Sequence, residues 1–305
     1  MMGDHQVMRR RFGYYVPKDN GTFDVSIQFG EFSQQRWDEF QDIMRVVFTL
    51  RPLVISYLAL EQDYEELSHV EAKIAHGLEG APNPFGLAPA MMLSALARAQ
   101  GKVSNFLGSA ASFRDRIKNW FAAAYRQDPE VAGLPEAEFR FAYDRSLVYR
   151  IMHNLRNHAL HKDIPVSLMP VTGTRAGSDG LVKMEVRLLL DSAELCSNPK
   201  TQGPVREELL RAGTPSYEIV PLALQYMESH GRFMRFVLRF HADDLQTAQN
   251  YARSVWAWGK LPPGAIPMIW EGEGEPGAEP TTLNGSHLAF DELGFFWLLY
   301  DRLPH

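Results

Sequence analysis

Apolar positions change their spacing twice along this 305-residue chain, and each change predicts a change of architecture. Over residues 12–30, "FGYYV" and "FDVSIQF" flank "KDNGT". Extended stretches on either side of an Asn-Gly pair predict a β-hairpin. From Ser33, a candidate N-cap, Trp37, Phe40, Met44 and Val47 recur at helical steps. Pro52 is expected to kink or restart this helix. The pattern resumes in "LVISYLALEQDYEELSHVEAKIAHGLEG", where Gly77 and Gly80 suit its end. "AMMLSALARAQGKVSNFLGSAASFRDRIKNWFAAAYRQ" reads as another long helix, weakened at Gly101 and Gly108 by ~1 kcal/mol each relative to alanine. "AEFRFAYDRSLVYRIMHNLRNHALHKD" reads as one more, ending before Pro165. Long helical stretches with short Pro/Gly connections predict an antiparallel four-helix bundle over residues 33–165.

After Pro165 the period shortens. "VSLMPV" and "LVKMEVRLLL" are strand-like around the loop "TGTRAGSDG", which predicts a hairpin. "PVREELLRAG" predicts a short helix. In "SYEIVPLALQYMESHGRFMRFVLRF" helical steps join Ile219, Leu222, Tyr226, Phe233, Val237 and Phe240, although Arg235–Phe240 also alternates like a strand. "DDLQTAQNYARSVWAWG" and "DELGFFWLLYDRL" predict two more helices, and "EGEGEPGAEPT" a mobile acidic loop. The expected organisation is therefore mainly α. It has an extended segment over 1–32, a helical bundle over 33–165 and a smaller α+β accessory region over 166–305, with no internal repeat.

Composition narrows the chemistry. Hydrophobic residues are 45% of the chain, ample for a buried core, and the formal net charge is −6. A contact with nucleic acid must therefore come from a local basic patch. The single cysteine, Cys196, excludes an internal disulfide and a cysteine-based zinc site. It fits a buried small side chain in a reducing cytosol better than a nucleophile. No signal peptide is legible at the start, and no apolar run reaches the ~18 residues of a membrane span. The expected location is cytoplasmic.

The end of the last bundle helix departs from the acidic background. From Arg145 to Lys162 there is no Asp or Glu, and three of the ten histidines fall there. On a helical wheel centred on Leu155, the residues Leu147, Val148, Ile151, Met152 and Ala159 form a core stripe. Tyr149, Arg150, His153, Asn154, Arg156, Asn157 and His161 lie on the opposite half. Arg156 and His161 flank that half, about 140° apart on an ideal helix. A ligand lying across the face, or the same face of a second subunit, would bring them together. The helix dipole favours cations here but does not explain an Arg-Asn pair followed by histidine.

"RNHALH" resembles the signature of the HEPN superfamily: Arg156, the polar Asn157 and His161, with four residues between Arg156 and His161. The resemblance covers about residues 33–165. It implies an antiparallel helical bundle that dimerises through this face, and a metal-independent RNase, often a toxin or defence effector. It further implies that Arg156 binds the phosphate, that His161 is the general acid/base and that Asn157 orients them. Arg150, His153 and Arg145 are expected to widen the footprint for RNA. No cofactor and no metal are expected, and a neutralising antitoxin protein is a possible partner. The residue types agree. Histidine titrates near neutrality, and a guanidinium fork matches two phosphate oxygens.

Alternatives remain at this stage. The same Arg156 and His161 can hold a phosphate or an acidic partner without cleavage, in a nucleotide-binding or scaffold module. The bundle can also be structural, with the motif accidental. His158 faces the core side and reads as structural. "MRRR" at Met8–Arg11 reads as a disordered basic tail, and Trp120, Phe121 and Tyr125 read as core rather than base-stacking platforms.

Overall fold

The computed structural model describes residues 8–79, 89–159, 166, 171–176, 181–197, 201, 203–273 and 284–305. The described chain is mostly helical, with small antiparallel sheets. In chain order it forms β1 (Met8–Pro17), β2 (Phe23–Glu31), α1 (Gln34–Ser68), α2 (Val70–Glu79), α3 (Pro89–Ala124), α4 (Pro129–Arg145) and α5 (Leu147–Ala159). Then follow β3 (Val171–Ala176), β4 (Leu181–Val186), β5 (Leu189–Asp191), α6 (Ser192–Ser197), α7 (Gly203–Ala212) and β6 (Ser216–Glu218). The chain closes with α8 (Ile219–Phe240), α9 (Ala242–Trp258), β7 (Ile266–Glu273), β8 (Asn284–His287) and α10 (Phe290–Arg302).

The described elements fall into two compact units. One takes the described residues of Met1–Pro52 and Val237–Arg302, the other those of Leu53–Phe236 and Leu303–His305.

In the first unit the predicted hairpin forms: β1 and β2 pair antiparallel from Gly13↔Ile27 to Pro17↔Phe23. Its turn uses Gly21 at φ 78°, and Asn20 Oδ1 accepts from the Thr22 amide at 3.1 Å. The sheet order is β2-β1-β7-β8, all antiparallel. The basic run does not trail as a tail. Met8–Arg11 pairs with β7, and Arg10 Nε meets Glu271 Oε1 at 2.6 Å. The start of the predicted acidic loop, Glu271–Glu273, is accordingly strand, with Glu271 opposite Arg10; residues 274–283 lie outside the described set. Gly13 is needed where the β1–β2 register shifts, since a Cβ there would stand 2.4 Å from Ser26 O. The core is apolar and aromatic: Phe12 is fully buried, with its ring centroid 5.1 Å from Trp258 and 6.3 Å from Phe32. Arg51 closes a two-pronged ion pair with Glu292, both contacts at 2.7 Å.

In the second unit, Tyr57 and Tyr64 of α1 meet Phe113 and Phe106 of α3, at 5.5 and 6.0 Å between ring centroids. Lys102 of α3 pairs with Glu66 of α1, and Lys118 with Glu136 of α4 at 2.7 Å. Phe233 of α8 packs edge-on against Phe139 of α4 at 4.6 Å, and Phe236 stacks on Phe121 of α3 at 5.7 Å. Phe121 is thus core, as its spacing predicts, with Trp120 and Tyr125 half-buried against it. α8 runs as helix through Phe240, which resolves the alternation of Arg235–Phe240.

α1 passes Pro52 without ending, and α3 passes Gly101 and Gly108. The expected last bundle helix, by contrast, is broken at Ser146. That residue is extended (φ −123°, ψ 113°), its N–H bonds Ala142 O to close α4, and its Oγ accepts from the Tyr149 amide to open α5. One residue thus caps two helices, through its backbone N–H and its Oγ, and removing the side-chain cap costs about 1 kcal/mol. The predicted hairpin after Pro165 is shifted. "VTGTRA", expected as loop, is β3 and pairs Val171↔Val186 through Ala176↔Leu181 with β4; its alternating Thr172 and Thr174 suit a strand. Residues 167–170 lie outside the described set.

One stretch, Gln34–Leu78, is long and apolar enough to cross a membrane by length and composition. Its Met44, Val47, Leu50, Val54 and Leu60 are nevertheless buried within the protein, and a buried core helix has this same composition.

Candidate functional site

α5 carries the basic motif. Its core stripe is as the wheel predicts: Ile151, Met152 and Leu155 are fully buried, while Leu147 and Val148 are half-buried. Its polar half is only partly open. Tyr149 is 1% and Asn154 2% exposed. The wheel could not show that α8 covers this side. Tyr149's ring lies 5.0 Å from Tyr226, 6.1 Å from His230 and 6.0 Å from Phe233. Asn154 Nδ2 donates to Arg150 O at 2.8 Å.

Beside Tyr149 stands Arg114 of α3, a residue the sequence reading passed over. Its Nη1 donates to His153 Nδ1 at 3.1 Å, and its Nη2 lies 3.5 Å from Asp115 Oδ1. Its Nε is buried without a hydrogen-bond partner among the described residues. Because an arginine only donates, His153 Nδ1 must accept, and the ring proton sits on Nε2. Burial, then Arg114 and then Arg156, push the His153 pKa down to about 4, so the ring is neutral at pH 7. His230 on α8 is fully buried, and burial likewise lowers it to about 4. Its Nδ1 is 2.8 Å from Tyr226 O, so Nδ1 carries the proton. Burial raises the phenols of Tyr149 and Tyr226, keeping both un-ionised, with Arg114 acting the other way on each.

Of the sequence-predicted residues, Arg156 and Asn157 are half-buried at the end of α5, with Arg156 Nη1 3.5 Å from Asn157 Oδ1. The Arg156 charge also lowers the His153 pKa, after burial and Arg114. Arg150 is turned elsewhere: it pairs with Glu208 of α7 and donates from Nη1 to Tyr143 O at 2.7 Å and Asp144 O at 2.9 Å. These contacts tie the α4–α5 junction to α7. Arg145 stacks on exposed Phe141, 4.7 Å from the ring, and joins neither group. His161, and the side chain of His158, lie outside the described residues.

The missed residues left a faint signal. His230 occupies a core position of the α8 stripe, between Tyr226 and Phe233, where an apolar residue is the rule. Arg114 directly follows Phe113 in the apolar stripe of α3 that also contains Ala110 and Ile117. Neither residue type identifies its partners without the fold.

Chemically, the described part of the site offers guanidinium donors, an uncharged imidazole N–H and two un-ionised phenols, with Asp115 the carboxylate nearest Arg114. Such a donor-rich group suits an oxyanion. Among the described residues no group of three or more His, Cys, Asp or Glu is placed to hold a metal ion. Cys196 in α6 is half-buried, and burial pushes its thiol up. No family model matches the chain, and neither a curated protein nor a solved structure matches it.

Proposed function

We propose that this chain is a metal-independent endoribonuclease of HEPN type, acting on single-stranded or looped RNA. The observation that carries the reading is the half-buried end of α5, where Arg156 flanks a neutral His153 that Arg114 already holds. In this reading Arg156 binds a non-bridging oxygen of the scissile phosphate, and Asn157 orients the guanidinium or the phosphate. The RNA 2′-OH attacks the adjacent phosphorus, its proton passes to a base, and the 5′-oxygen leaves with a proton from an acid. His161 serves as the general acid/base, and histidine catalysis of this kind contributes ~10²–10⁴-fold. The products are a 2′,3′-cyclic phosphate and a free 5′-OH. His153 is a hydrogen-bond donor through Nε2–H here and not the general acid, because a ring with a pKa of about 4 is not imidazolium at pH 7.

The HEPN-like four-helix bundle over 33–165, a homodimer that doubles Arg156 and His161 around one cleft, a cytoplasmic setting and an antitoxin that covers the cleft all belong to this proposal. The second half of the chain then supports substrate choice or regulation. A second reading, phosphate or nucleotide binding without cleavage, is favoured by one fact: the described imidazoles of the site, His153 and His230, are both neutral and already hydrogen-bonded.

Purified protein incubated with a single-stranded RNA in excess EDTA separates the two. The nuclease reading expects fragments with cyclic phosphate ends, lost in His161→Ala while RNA binding persists. Binding with no cutting between pH 5 and 9 on the order-of-magnitude scale of histidine titration refutes it in favour of the second reading.

A further inference from the structure

A different part of the chain, within the first unit alone, carries a ligand site of its own. Residues of α9, α10 and β7 line a cavity of about 340 Å³, within the range of small-molecule sites, roughly 300–1,000 Å³. The gap has a sequence cause. Ala252 of α9 and Gly294 of α10 both line it, and a Cβ added at Gly294 would meet nothing within 4 Å. The floor is apolar and buried: Ala265, Pro267, Phe290 and Leu293. Trp256 adds an aromatic wall one helical turn beyond Ala252.

The rim is selective in charge. Arg253, His287 and Asp291 are its exposed polar members. Asp291 Oδ1 is engaged by His287 Nε2 at 3.4 Å. Arg253 has no hydrogen-bond or ion-pair partner among the described residues, so its guanidinium is the rim cation available to a ligand.

From these we infer that the α9–α10 cavity binds a small organic anion: a flat apolar body lies between Trp256 and Phe290, and its carboxylate or sulfonate meets Arg253. The apolar walls supply affinity roughly in proportion to the area they cover. The guanidinium selects an acid over a neutral molecule of the same shape. Aliphatic and aromatic acids share this chemistry.

Two fluorescent probes test it on the full-length chain. 8-Anilinonaphthalene-1-sulfonate has the required body and anion, and N-phenyl-1-naphthylamine has the same body without charge. Wild type should bind the sulfonate at one site per chain, with 1-naphthoate and decanoate competing to show which body is preferred. Gly294→Leu should fill the cavity and weaken both dyes by at least about tenfold, and Ala252→Leu should do the same from the opposite wall. Arg253→Gln should weaken the sulfonate about tenfold and leave the neutral dye unchanged, whereas Asp291→Asn should tighten the sulfonate by about twofold to fivefold. The inference fails if sulfonate binding survives both cavity-filling variants, or if Arg253→Gln changes the two dyes equally.

Discussion

The two compact units solve the problem of an interior in opposite ways. The first closes on Phe12, Phe32, Trp258, Phe40 and Phe290, and its ion pairs, Arg10–Glu271 and Arg51–Glu292, are only part-buried. In the second, α3, α5 and α8 meet over a guanidinium, two imidazoles and two phenols. Polar groups in such a place cost stability unless each finds a partner. Arg114 Nε has none among the described residues. The apolar interior is thus the more sensitive to lost volume, and the polar one to pH.

The largest effect should come from the first unit. Phe12→Ala removes a fully buried ring and should lower unfolding stability by about 3–5 kcal/mol in urea titration. A loss below about 1 kcal/mol would break the comparison, because the packing there would be loose.

Next in size is an acid effect centred on His230 in the polar interior. His230 has a pKa of about 4 when folded against roughly 6.5 unfolded. Above pH 6.5 both states hold the ring neutral, and its contribution is fully present. As pH falls from about 6.5 to about 4, the unfolded state takes up a proton that the folded state refuses, and stability drops by roughly 3 kcal/mol. His153 shifts in the same direction and steepens the fall. Urea midpoints between pH 7.5 and 4 measure this (roughly the window of the two pKa values). His230→Phe should flatten the profile, and an unchanged slope in that variant would assign the acid lability elsewhere.

Smaller still is the effect of Arg150→Ala. It removes the pair with Glu208 and two bonds to α4 carbonyls, at about 2 kcal/mol. It should leave any RNA chemistry at Arg156 intact. Equal loss of stability and of RNA chemistry would return Arg150 to the site.

Much of the local structure was legible in the sequence, for reasons that hold over a few residues. The Asn-Gly turn, the core stripe of α5 and the helices α7, α9 and α10 rest on turn chemistry or on periodicity. Ser146 was read through because its flanks keep a helical period, and a cap shows only when the backbone departs at it. β7 escaped notice because its pairing with Met8–Arg11 spans almost the whole chain. In the site, Arg156 and His153 followed from one helix face. Arg114, Tyr226 and His230 did not, since they arrive from α3 and α8 and only packing joins them to α5. The same packing explains why Tyr149 and Asn154, placed on an open polar face by the wheel, are buried.

The functional account stands on one guanidinium, and a side-by-side assay of two arginines on α5, Arg150 and Arg156, tests it most directly. Wild type, Arg150→Ala and Arg156→Ala are each given a single-stranded RNA in EDTA, and initial cleavage rates are measured at a temperature where all three are folded. The account predicts that Arg150→Ala cuts at close to the wild-type rate and that Arg156→Ala loses about 100-fold or more. Cutting by Arg156→Ala at the wild-type rate would contradict it.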